Sequence, residues 1–241
     1  MSSTASDPLR RFLLLLFTLF TVATTFSIAL AQTMLGLALA MFIVICIRDR
    51  HQPFVSQFRW LWWLIAAYVC WLALSSMIGP KPLQSIVNVK DEWLFLIIPI
   101  TLLLASDERS RRQLVTAFAV AVGLISLYAI VQAATGVAWF KVVDGKLTSV
   151  PILDVQGNFG NCMTFGNFTV TAGSFVLGIG LLIEKGNGRR PWLFTTAGLL
   201  AIVATVLTLR RGAIAAAIVT LMLFALLLQS RKRWLLVALS A

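Results

Sequence analysis

Apolar residues run along this chain in long stretches, broken by short polar segments that gather the charge. The longest stretches reach the ~20 residues that cross a bilayer as a helix. They read as helices because backbone polar groups in lipid can only be satisfied within the segment itself. Spans are expected at about 12–30, 33–47, 60–79, 93–105, 113–134, 168–183, 192–209 and 212–229, with a further one starting at 234. The expected fold is all-α: a polytopic transmembrane bundle of eight to nine spans, forming a single transmembrane domain over 1–241.

Composition supports the same class. Hydrophobic residues make up 59% of the 241, charged residues only 12%, and mean hydropathy is +0.92. A soluble fold of this length could not bury so much apolar surface. The formal net charge is +11. Most of that excess follows from the bias of basic residues towards cytoplasmic loops. No basic stretch is interleaved with aromatics on a polar surface, so nucleic-acid binding is discounted. Arg10 and Arg11 precede the first apolar run as in a signal peptide. The run continues to Ile47 without a small-residue cleavage site, so a retained first helix is expected.

Basic residues also set an orientation. With the N-terminus inside, the inner segments hold Arg10, Arg11, Arg48, Arg50, Arg59, Arg109, Arg111, Arg112, Lys185, Arg189, Arg190, Arg231, Lys232 and Arg233, which is 14 of 20. Lys81, Lys90, Lys141, Lys146, Arg210 and Arg211 fall outside. The multi-pass chain is therefore expected with its N-terminus in the cytoplasm.

Arg210 and Arg211 stand out because they lie together between two apolar stretches at the outer face. Two readings are open. Interfacial arginines snorkel to lipid phosphates. Alternatively, the planar, permanently charged guanidinium forms a bidentate phosphate clamp. Gly212, Ala213, Ala215, Ala216 and Ala217 then allow close packing, and the N-terminus of the following helix adds partial positive charge.

Other candidates lie on the same face. Lys81 and Lys90 sit on an amphipathic segment at 80–92, where Lys90 has Asp91 and Glu92 beside it and Lys81 is the better phosphate contact. The large outer loop at 135–167 ends in a stretch rich in Gly and Asn. There Asn158, Asn161, Thr164 and Asn167 are candidate sugar or phosphate ligands, or turn formers and the cap of a helix starting near Phe168. Asp144 and Asp154 are the loop's acids. Cys46 and Cys70 read as small hydrophobes within spans, and Cys162 as a loop thiol without a loop partner. One histidine, His51, excludes a multi-histidine metal centre, and no metal or cofactor is expected. The spans carry no acid or base at mid-membrane, which argues against ion-coupled transport.

Thr208-Leu209-Arg210-Arg211-Gly212-Ala213 resembles the Thr-x-Ser-Arg-Gly-Ala signature of the O-antigen ligase and O-antigen polymerase-like membrane proteins. The stretch 157–167 resembles that family's Gly-x-x-x-Asn-x-x-x-Phe-Gly element, and the order of spans is similar. The resemblance implies a metal-independent, inverting glycosyltransferase. It would move a glycan from undecaprenyl pyrophosphate to the lipid A-core oligosaccharide at the periplasmic face. Arg211 matches the signature arginine, while Arg210 stands where Ser is usual. Lys81 matches an early outer basic residue of the family. The family has about a dozen spans and a late outer loop with a functional histidine. The chain is accordingly expected to be part of a longer protein. Alternatives are a surface-polysaccharide polymerase or protein O-oligosaccharyltransferase of the same fold, or a non-catalytic transporter or lipid-binding protein.

Overall fold

The computed structural model describes residues 7–49, 59–78, 95, 97–143, 146–149, 155–157, 159, 161–183 and 191–240. Among these the chain forms eight α-helices and one β-hairpin. Three helices are long and apolar enough to cross a membrane: Ala29–Asp49, Glu108–Thr135 and Cys162–Leu181. Shorter apolar helices follow the same pattern at Trp62–Ile78, Pro191–Leu207 and Arg211–Leu227. Length and apolarity mark this as a membrane protein.

Two compact units are distinguished. The first comprises Met1–Phe20 and Gln32–Leu114, and the second comprises Thr21–Ala31 and Val115–Ala241. The first contains most of α1 (Pro8–Ala23) and α2 (Ile28–Asp49), then α3 (Arg59–Ile78), α4 (Ile97–Ala105) and the start of α5 (Glu108–Thr135). Helix α1 buries Leu13, Leu16, Phe17 and Phe20, a stripe at helical spacing, while Phe12, Leu15 and Leu19 point outward. Helix α2 buries Leu35, Ala38, Phe42 and Ile45 and exposes Leu37, Ile43, Val44 and Ile47. Apolar residues on both faces need an apolar solvent on the outer one.

Charge appears at the helix ends. Arg48 pairs with Asp7 and, at 2.6 Å, with Asp49, and Arg10 reaches Asp49 at 3.2 Å. This cluster ties the start of α1 to the end of α2. Solvent screens ion pairs of this kind, so they fix pairing more than they stabilise it. Helix α5 is capped by Asp107, whose carboxylate accepts from the Ser110 amide at 2.9 Å and its hydroxyl at 2.7 Å.

The second unit is built on α5, α6 (Cys162–Gly178, continued by a π-helical turn Ile179–Ile183), α7 (Pro191–Leu207) and α8 (Arg211–Ser240). Ala119, Val122, Ala172, Val176, Phe194 and Ala197 join α5, α6 and α7 in one apolar cluster. Helices α6 and α7 cross with little between them. A Cβ placed on Gly173 would lie 2.6 Å from Ala201 Cβ, and one on Gly198 would lie 2.6 Å from Leu177 Cβ and 2.8 Å from its Cα. Beside these glycines, the buried hydroxyls of Thr169 and Thr205 bond at 2.8 Å. The contacts run 169 to 205, 173 to 201 and 177 to 198, so the two helices are antiparallel.

Several boundaries differ from expectation. The first span ends at Ala23 rather than near 30, because the Thr24 and Thr25 hydroxyls donate to the Thr21 and Val22 carbonyls and Ser27 caps α2. The spans expected at 212–229 and from 234 form one continuous helix, α8. Arg231, Lys232 and Arg233 are straight-chain residues that propagate a helix as well as they end one. The outer loop is not wholly irregular. It contains an antiparallel hairpin, β1 (Val137–Val143) and β2 (Lys146–Ser149), so the fold is helical with one small β element.

Two outcomes follow. Gly198→Ala should destabilise the protein by roughly 1–3 kcal/mol, since the new methyl meets Leu177 backbone atoms. Gly36→Ala, with nothing within 4 Å, should be neutral or mildly stabilising in the same detergent unfolding assay. Donation by Ser110 holds the Asp107 carboxyl below its ordinary value of 3.8. Its stabilising contribution is therefore complete above that pH and lost as pH falls below it through the lower folded value. Asp107→Asn should remove this part of the acid dependence of thermal unfolding.

Candidate functional site

The two stretches singled out in the sequence meet in the second unit. After α7 ends, Thr208 donates its hydroxyl to the Thr205 carbonyl at 2.7 Å and accepts from the Arg210 amide at 3.4 Å. Leu209 turns the chain in a left-handed conformation, with φ +49°. A non-glycine residue held there costs roughly 1–2 kcal/mol, so the corner is enforced by its surroundings. Helix α8 begins at Arg211, two residues on.

The first turn of α6 packs against this corner. Arg210 donates from Nε to Cys162 Sγ at 3.0 Å, and its Nη2 reaches the same sulfur. A Cβ on Gly166 would lie 3.0 Å from Thr208 Oγ1 and 3.3 Å from Ala213 Cβ. Further along, Val170 clusters with Ala217, Ser174 donates to Thr220 at 3.3 Å, and Gly178 faces Phe224. The partners rise together along both helices, so α6 and α8 are parallel neighbours. Their N-termini lie side by side, each with the partial positive charge of unpaired amides, worth roughly half an elementary charge.

The arginines are unequal in this setting. Arg210 is half-buried and reaches across to α6, whereas Arg211 is exposed in the first turn of α8. Among the described residues Arg211 has no carboxylate in ion-pair range. The corner thus offers an exposed guanidinium, a second guanidinium fixed behind it and two helix N-termini. Such an arrangement can hold a phosphate or pyrophosphate.

Asn161 acts as the N-cap of α6, accepting from the Met163 amide at 2.8 Å. Because of this cap the helix starts at Cys162, six residues before the expected position. Asn167 lies within α6 and is exposed, as is Thr164. Cys162, expected as a loop thiol, is the buried first residue of that helix. Lys81, Lys90, Asn158, Asp144, Asp154 and His51 lie outside the described residues.

One residue was missed from the sequence. Gln132, buried near the end of α5, accepts at Oε1 from the amides of Gly157 at 3.0 Å and Gln156 at 3.2 Å. Its Nε2 has no partner among the described residues. A lone amide side chain in an apolar span was the available signal. Gly157 follows with φ +57°, and the Phe165 ring occupies the space where a side chain would begin. Val155 is buried with Phe165, and Phe159 packs on Phe165 and Phe168 at ring distances of 5.5 and 5.1 Å. The segment before α6 is therefore latched to α5 and folded onto α6.

Gln132→Leu should release this latch. The buried Gly157 amide would lose its acceptor, at roughly 1–3 kcal/mol if left unpaired, and the half-buried Gln156 amide would lose the same partner. Hydrogen exchange at Gln156 and Gly157 should accelerate well beyond exchange in the middle of α6. Unchanged exchange there would refute the latch.

Comparison with models of protein families, with curated proteins and with solved structures finds no match for this chain.

Proposed function

We propose that the chain is an O-antigen ligase-like glycosyltransferase of the bacterial inner membrane, with multiple spans and its N-terminus in the cytoplasm. It transfers a glycan from undecaprenyl pyrophosphate to lipid A-core oligosaccharide at the periplasmic face. The observation that carries this reading is the meeting of two sequence elements that resemble the same family. The 157–167 stretch and Thr208–Ala213 lie far apart in the chain, yet Cys162 touches Arg210 and Gly166 faces Thr208 and Ala213.

In this reading the acceptor hydroxyl attacks the anomeric carbon from the face opposite the pyrophosphate. The bond from that carbon to the pyrophosphate oxygen breaks, and the leaving group departs with the electron pair. Arg211 and the N-termini of α6 and α8 neutralise the developing negative charge, the electrostatic role such sites perform for anionic leaving groups. Arg210 positions the corner and adds to the potential. Lys81, Asn158, Asn161 and Asn167 are the proposed donor contacts. The proton of the acceptor hydroxyl is released to water at the periplasmic face.

Arg211→Ala should lower transfer of lipid-linked glycan by about 10²–10³-fold at normal protein level. Arg211→Lys should recover part of it, because charge returns without the planar fork. Wild-type transfer by Arg211→Ala would overturn the proposal.

A further inference from the structure

The exposed faces of the second unit differ in chemistry. Helix α7 turns Leu199, Val203 and Val206 outward, and α5 turns out Val120, Leu124 and Leu127. Those faces suit acyl chains. Helix α6 instead exposes Thr164, Asn167 and Thr171 over its outer half, and an apolar residue, Phe175, only after them. At 100° per residue the three polar positions fall within about 60° of one another, so they form one stripe.

The stripe runs inside a span. Thr171 lies nine residues beyond Cys162, the first residue of α6, or about 14 Å along the axis. That is close to the middle of a ~30 Å hydrocarbon layer. The contacts between α6 and α7 pair 169 with 205 and 173 with 201, which puts Thr171 level with Val203. Hydroxyls can satisfy themselves in lipid by bonding a carbonyl one turn back, as Thr169, Ser174 and Thr196 do. Among the described residues the side chains of Thr164, Asn167 and Thr171 make no hydrogen bond. The Asn167 carboxamide alone brings two donors and an acceptor oxygen. Unmet polar groups at this depth belong against protein or a water-filled cavity, not acyl chains.

The stripe begins at the arginine corner. The first turn of α6 is joined to it through Cys162 and Arg210, and Gly166 faces Thr208 and Ala213. Arg211 and Gly212 are exposed there, and nothing lies within 4 Å of a Cβ placed on Gly212. A cation, free space and uncharged hydrogen-bonding groups thus follow one another along the same pair of helices. We propose that the outer half of α6 lines a water-filled cleft that opens at this corner. The cleft takes the sugar adjoining the phosphate held at Arg211. Sugar hydroxyls both donate and accept, as the three side chains require, whereas an acyl chain would leave all of them unpaired. The sugar as occupant rests on the glycosyltransferase reading; the cleft itself does not.

The test reads hydration without turnover. Single cysteines are added to the chain in membrane fragments open on both faces. They are treated with a charged methanethiosulfonate, which reacts only where water reaches. Asn167→Cys and Thr171→Cys should react well above the parent chain. Val203→Cys, at the depth of Thr171, should not. A silent Thr171→Cys would overturn the cleft even with transfer intact, as would equal reaction of Val203→Cys. A second arm addresses the occupant. Thr171→Val, which loses the hydroxyl, should raise KM for the lipid-linked glycan by about threefold to tenfold with kcat near wild type. Thr171→Ser should restore it. An unchanged KM in Thr171→Val would rule out the sugar. Absence of transfer by the wild type would remove the sugar together with the glycosyltransferase reading, and the labelling pattern would stand.

Discussion

Helices surrounded by lipid gain little from bringing leucines together, because lipid tails are as apolar as the side chains they replace. Association must come from close packing and from polar groups that pair between helices. Helices α6 and α7 use both. Gly173 and Gly198 let the backbones approach until a methyl group would not fit, and the Thr169–Thr205 bond closes the same face. The rest of the second unit depends on this crossing. It sets where α7 ends, hence where the Leu209 corner lies and which turn of α6 meets α8.

The corner separates the tasks of two adjacent arginines. The left-handed Leu209 sends Arg210 back to the sulfur of Cys162 and leaves Arg211 exposed in the next helix. Parallel α6 and α8 then align their dipoles, an arrangement that is unfavourable between the helices and favourable for an anion at their shared end. Gln132 holds the segment before α6, so the Asn161 cap and the first turn of α6 are fixed from the α5 side as well.

The helices were legible because long apolar runs have few alternatives in lipid. Boundaries were less so, since they turn on local hydrogen bonds: the hydroxyls of Thr24 and Thr25 stop α1, and Asn161 starts α6 early. The continuity of α8 was hidden because a basic cluster reads equally as a loop or as part of a helix. At the site, Arg210 and Arg211 were visible as exceptions to a charge pattern. Cys162 and Gln132 were not, because their roles arise from contacts across 48 and 25 residues. Neither a thiol nor an amide announces such a partner in sequence.

The parallel seam also limits chain length. On α6 its partners recur every fourth residue, at 162, 166, 170, 174 and 178, while on the α8 side they fall at 210, 213, 217, 220 and 224, alternating three and four. The second series averages half a heptad and keeps one face turned to its neighbour. Deleting a single residue between Gly212 and Ala217 would rotate the remainder of α8 by about 100° relative to its start. Ala217 and Thr220 would leave the seam for Ile218 and Leu221, and Phe224 would leave it for Ala225. The arginine corner and the helix behind it are thus a single phased unit, in which side chains can be exchanged more readily than residues can be added or removed.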